Sequence, residues 1–201
     1  TPWDRVVDPQ LSVSEGTYTG AQSVELSCVT SGAVIKYTTD GSEPSSSNGT
    51  VYNSGSVITI NKDTTLKAIA LKEGMTDSSV VTVDYVINYT LDVAVDPSGG
   101  GNISVTPDQA NYKYEDTVSL EVSAASGYSF SNWTGDVSGT DNPASLIIDA
   151  NKSVTAEFTP WDSVADPQLS VSEGTYTGAQ SVELSCVTSG AEIKYTTDGS
   201  E

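Results

Sequence analysis

Val34-Ile35-Lys36-Tyr37-Thr38-Thr39-Asp40-Gly41 is the stretch whose reading fixes the architecture. Ile35, Tyr37 and Thr39 alternate with Val34, Lys36 and Thr38, the period of two expected of a strand with one covered face. Asp40-Gly41 ends the run with turn chemistry. The stretch returns at 192–199 as Glu192-Ile193-Lys194-Tyr195-Thr196-Thr197-Asp198-Gly199. One residue has changed: Val34 has become Glu192. At a core position that exchange would bury an unpaired carboxylate, at a cost of several kcal/mol. Position 34 therefore faces outward, and Ile35 and Tyr37 form the inward pair.

Working outward, the whole segment Thr1–Glu43 recurs as Thr159–Glu201. Only Arg5/Ser163, Val7/Ala165 and Val34/Glu192 differ among the 43 positions. The period is 158 residues, so the 201-residue chain reads as a window on a longer tandem array. The same alternation recurs along the first copy. Val24, Leu26 and Cys28 share one face, and Ser23, Glu25 and Ser27 the other. Residues 64–72 set Leu66, Ala68 and Ala70 against Lys67, Ile69 and Leu71, a strand covered on both faces. Residues 79–87 make a long Val-rich strand. Polar and glycine turns at 40–41, 44–49 and 73–74 separate these runs, a spacing that indicates an all-β sandwich. A second all-β module follows, with strands expected near 89–96, 102–106, 117–124, 128–134, 146–148 and 154–158. The expected organisation is a junction at 1–7, a β-sandwich module at 8–87, a smaller module at 88–158, a junction at 159–165 and the start of the next sandwich module at 166–201.

Composition narrows the function. Eight basic against 27 acidic residues give a net charge of −19 and a pI of about 4.1. Such a surface repels phosphate backbones, which excludes nucleic acid as a partner. Residues 1–158 alone hold 20 acids and seven bases, so each period carries −13. The chain has no His, which removes the commonest general base and metal ligand. Ser and Thr supply 54 of 201 residues; with few bases and two Cys, this composition suggests an extracellular or cell-surface location. No apolar run reaches membrane-spanning length, so no membrane insertion is expected in this segment.

Residues 8–87 resemble the Ig-like module at the C-terminal end of chitobiase and β-hexosaminidase-type proteins. The matching elements are Gly16-Thr17-Tyr18, Val24-Glu25-Leu26-Ser27, Ile35-Lys36-Tyr37-Thr38-Thr39-Asp40-Gly41-Ser42 with Pro44, and Thr65-Leu66-Lys67-Ala68-Ile69-Ala70. Residues 88–158 resemble the divergent B-repeat of internalin-type surface proteins. Their marks are the Gly-rich turn at 97–101, Gly127-Tyr128-x-Phe130-x-x-Trp133-x-Gly135-Asp136, and Asn151-Lys152-Ser153-Val154-Thr155-Ala156-x-Phe158. Both resemblances imply extracellular accessory or spacer modules without catalytic residues.

Candidate chemistry is sparse. Without His no Ser/His/Asp arrangement exists, and Glu115 beside Asp116 on a strand would point to opposite faces, so no carboxylate dyad forms. No catalysis is expected. Ca²⁺ is the one cofactor considered, with Asp136, Asp141 and Asn142 as its donors and Asp4 and Asp8 in second place; the alternative is ordinary solvated turn residues. Asn48, Asn88, Asn102 and Asn151 head Asn-x-Ser/Thr sequons and are candidate glycosylation sites. Asn132 heads a fifth but lies on a strand beside Trp133. Cys28, Tyr37 and Trp133 read as core residues. Trp3 and Trp161, stiffened by Pro2 and Pro160, read as hydrophobic pins between modules.

Three functional readings stay open. The first is a non-catalytic repeat of a cell-surface fibre, stalk or adhesin, in which each compact module adds roughly 30 Å of reach. Its partners are neighbouring copies of the repeat and, beyond them, surface glycans or other cells. The second is a carbohydrate-binding or spacer region of a large secreted glycoside hydrolase. The third is a self-assembling filament subunit completed by strands from a neighbouring chain.

Overall fold

The computed structural model describes residues 4–197, all strand, turn and loop. It divides into two compact units, one ending at Thr159 and one beginning at Pro160.

The first half of the larger unit is a two-layer sandwich built by β1 (Gln10–Leu11), β2 (Gly16–Thr19), β3 (Gln22–Val24), β4 (Leu26–Ser27), β5 (Val34–Thr38), β6 (Thr50–Val51), β7 (Ile58–Ile60), β8 (Thr64–Leu71) and β9 (Val81–Asn88). One layer is the five-stranded sheet β2-β9-β8-β5-β6; the other consists of the pairs β1-β4 and β3-β7. Val24, Leu26, Ile35, Leu66, Ala68, Ala70, Tyr85 and Ile87 are buried between them. β8 is covered on both faces, since Ile69 is buried opposite Leu66, Ala68 and Ala70.

In β5 the outward position 34 and inward Ile35 follow the expected phase, and Tyr37 is half-buried against the core, edge-on to Tyr52. The strand departs from strict alternation at its end. Thr38, placed on the outer face by phase, is buried, because its hydroxyl donates to the Ser42 carbonyl (2.5 Å) as the turn folds back over it. Residues 4–8, lying in and beside the segment read as a junction, are docked. Val6 is 1% exposed and its N–H donates to the Thr76 carbonyl (2.9 Å). Arg5 reaches the Asp77 carbonyl (3.1 Å) and the Ser79 hydroxyl (2.8 Å), and Asp8 accepts the Ser79 N–H (2.7 Å).

The second half contains β10 (Leu91–Asp96), β11 (Gly101–Thr106), β12 (Thr117–Ala124), β13 (Tyr128–Gly135), β14 (Ala144–Ile147) and β15 (Lys152–Pro160). These form two three-stranded sheets, β10-β15-β13 and β11-β12-β14. β10 and β15 run parallel, in register from Leu91↔Lys152 to Asp96↔Glu157. Val118, Leu120, Trp133, Leu146, Ile148, Val154, Ala156 and Phe158 fill the space between the sheets. Close packing dictates Gly135: it adopts φ +92°, and a Cβ there would lie 2.3 Å from the Ser153 carbonyl oxygen.

Among the described residues of the smaller unit, β16 (Gln168–Leu169) and β17 (Leu184–Ser185) pair antiparallel as β1 does with β4.

Candidate functional site

Glu115 and Asp116 do not lie on a strand. They occupy a turn in which Glu115 takes φ 69° and Asp116 accepts the Lys113 N–H (2.7 Å). The short side chain of Asp116 thus closes a local turn in place of a strand pairing.

The three residues considered for Ca²⁺ have separate partners. Asp136 accepts the Ser153 N–H (2.7 Å) and lies 3.6 Å from the Lys152 ammonium. Asn142 bonds both the N–H and the carbonyl of Val122 (2.9 Å each), so its side-chain amide continues the pairing on the side of β12 that β14 occupies. Asp141 uses its backbone carbonyl, which accepts the indole N–H of Trp133 (2.8 Å). Among the described residues no group of three or more His, Cys, Asp or Glu is arranged to hold a metal ion.

Asn48 is exposed in its loop, where its amide donates to the Glu43 carbonyl (2.7 Å). Asn102 is exposed on β11, and Asn88 is half-buried at the end of β9. Asn151 is exposed but accepts the Thr90 N–H (3.1 Å), and Asn132 bonds the Trp133 carbonyl (3.1 Å).

Trp133 is fully buried, edge-on to Phe130. Cys28 is half-buried with its thiol 3.2 Å from the Val7 carbonyl, and Cys186 repeats this contact to Ala165 at 3.2 Å. Trp161 is 65% exposed, Pro160 is exposed at the end of β15, and Trp3 and Pro2 lie outside the described residues.

Within the larger unit, the two modules meet at a seam centred on Tyr89. This residue is 1% exposed, exchanges both backbone bonds with Tyr112 (2.9 Å each) and donates its phenol to the Asn61 carbonyl (2.8 Å). Burial pushes that phenol pKa up, with the negative charges of Tyr114 and Asp149 adding to it. Lys113 of the second module reaches back to Asp63 (2.9 Å) and to the Ile87 carbonyl (3.2 Å). The Lys113 hydrogen bond holds the Asp63 carboxyl below its ordinary value, despite some burial, and the Ile87 N–H (2.9 Å) adds to the effect. Around Thr90, the N–H bonds the Asn151 side chain and the carbonyl accepts the Lys152 N–H (2.9 Å). Sequence reading set a module boundary at 87/88 and missed Tyr89. Its signal is the alternation Tyr85-x-Ile87-x-Tyr89, which runs through that boundary without a break.

What fold and seam define is a pair of docked all-β modules with structural, not reactive, side chains at their meeting point. The chain belongs to the chitobiase/beta-hexosaminidase C-terminal domain family, whose profile matches residues 13–82 and again 171–201. Between these matches, residues 91–162 carry a divergent InlB B-repeat domain. Both are domains of the kind found in surface or secreted proteins. The hexosaminidase likeness is to the C-terminal, non-catalytic domain alone. No curated protein matches the chain significantly.

Proposed function

We propose that this chain is a rigid, non-catalytic spacer repeat of an extracellular fibre, stalk or adhesin. The observation that carries the reading is the Tyr89 seam. A flexible linker would leave the two modules to reorient freely, whereas a buried tyrosine, a Lys113–Asp63 ion pair and an Asn151 bridge fix one geometry. The acidic surface adds mutual repulsion at close approach, within about 8 Å in physiological salt. The sugar-binding reading is supported less well. Every Tyr, Phe and Trp in residues 4–159 is buried or half-buried, so no exposed aromatic platform is present among those described residues.

Native-state hydrogen exchange tests the proposal. Amides of β8 in the first module and of β12 in the second should open with the same free energy and the same denaturant slope, as one cooperative body. Two separate openings would remove the rigid-spacer reading.

A further inference from the structure

The loop between β5 and β6 ends in Asn48-Gly49, and Asn48 is the one asparagine of nine that a glycine follows. The fold itself demands that glycine. Gly49 adopts φ +100°, and a Cβ there would lie 3.0 Å from the Tyr37 carbonyl oxygen, tight against the backbone of β5. Asn48 is exposed to water. Its side-chain nitrogen donates to the Glu43 carbonyl (2.7 Å) and to the Ser42 hydroxyl (3.4 Å). Among the described residues the Gly49 N–H has no hydrogen-bond acceptor. An exposed carboxamide therefore precedes a backbone nitrogen that neither a side chain nor a hydrogen bond shields.

We propose that Asn48 is a site of spontaneous modification, converted to aspartate and isoaspartate without an enzyme. Asparagine is a thermolabile residue, and the Gly49 nitrogen is the nucleophile placed to exploit this. It attacks the side-chain carbonyl carbon of Asn48, and the new C–N bond closes a succinimide ring. The Gly49 nitrogen loses its proton to solvent, the bond from Cγ to Nδ2 breaks, and Nδ2 takes up a proton and leaves as ammonia. Water then opens the ring at either carbonyl, and no oxidant or reductant takes part. This inference does not depend on the spacer reading.

The product alters what holds the loop. A carboxylate at position 48 adds a negative charge and offers only acceptors to the Glu43 carbonyl, which needs a donor. The isoaspartate form also lengthens the main chain by a methylene just before Thr50, whose pairing with Tyr37 helps to anchor the two-residue strand β6. Lys36 still donates to the Ser46 carbonyl (2.7 Å), and Lys67 still pairs with Glu43. The loosening is therefore confined to the loop and β6.

The test incubates the full chain in mildly alkaline buffer, native and in denaturant, and follows it by peptide mapping. In the native chain the peptide containing Asn48 should gain the mass difference between an amide and a carboxyl group, ahead of every other asparagine. Asn48→Ser should remove that gain. Lack of conversion in the native chain overturns the proposal; conversion in denaturant alone would show that the fold shields the pair. Earlier reaction at Asn53 or Asn151 counts equally against it. A second variant reads the structural consequence. Asn48→Asp should speed exchange of the Ser45 amide, which donates to the carbonyl of residue 48 (2.9 Å), several-fold while β9 amides stay unchanged. An unaltered Ser45 amide would overturn the loosening.

Discussion

The two copies of one sequence, 4–39 and 162–197, form an internal comparison of what a segment encodes alone and what it takes from partners. Several local bonds are the same in both. The Ser12 hydroxyl accepts the Glu25 N–H and Ser170 accepts Glu183, both at 2.8 Å. Tyr18 donates to the Ser14 carbonyl at 2.8 Å and Tyr176 to Ser172 at 2.7 Å. The β1-β4 pairing recurs as β16-β17. The strands that need remote partners do not recur. β2 leans on β9, β3 on β7 and β5 on β8; their counterparts at 174–177, 180–182 and 192–196 are not strands. Side-chain hydroxyls and tight turns are written locally, whereas sheet membership is conferred by strands up to about 70 residues away.

The strongest way to break that comparison is to truncate the same residue in each copy. Ile35→Ala should cost about 3 kcal/mol in chemical denaturation, because it opens a cavity between two sheets. Ile193→Ala, half-exposed, should cost less than about 1 kcal/mol. Equal losses would mean that the second copy is as tightly packed as the first. Gly135→Ala comes next, at about 2 kcal/mol or more, since it meets the Ser153 carbonyl and needs a left-handed backbone; a thermal melt of the chain measures it. Ser12→Ala and Ser170→Ala sharpen the local half of the argument. Each removes one hydrogen bond worth about 1 kcal/mol and should speed exchange of the Glu25 or Glu183 amide respectively.

The smallest expected effect lies at the seam. Asp63 is held below the ordinary carboxylate value of 3.8 in the folded chain. Its contribution is therefore complete above that value and is lost as pH falls through the lower folded value. Because both Lys113 and Asp63 are partly exposed, the effect should stay under about 1 kcal/mol. Asp63→Asn should flatten the acid limb of stability between pH 2 and 5 (roughly the carboxylate range). An unaltered limb would assign the acid sensitivity to other carboxylates.

Much of the fold was legible because one-sided burial leaves a period of two. The outward setting of position 34 could be read from the Val34/Glu192 exchange alone. The parallel pairings, β2 with β9 and β10 with β15, were not legible, because their partners lie roughly 60 to 70 residues apart and parallel register leaves no local mark. The docking of Val6 was hidden for a similar reason. A single apolar residue in a Pro- and Asp-containing stretch carries no periodicity, and its burial depends on a loop 70 residues later. At the candidate site, sequence reading drew attention to a conspicuous Trp flanked by Pro at one junction and passed over Tyr89 at the other, where the seam lies within an unremarkable strand run. Asp136 and Asn142 stood out as candidate cation donors because they are polar turn residues, but their partners within the protein left no mark in the sequence. Only the fold reveals that they bond to the backbone at Ser153 and Val122.

The parallel register of β10 and β15 has a mechanical consequence. The second module is entered at Leu91, the first residue of β10, and left at Pro160, the last of β15. Tension along the polypeptide therefore pulls these neighbours lengthwise past each other. Six registered residue pairs carry the force together, from Leu91↔Lys152 to Asp96↔Glu157. In a hairpin pulled open from its free ends the bonds would fail one at a time. Here a sliding displacement must strain the whole interface before any part of it yields, which suits a segment that transmits pull.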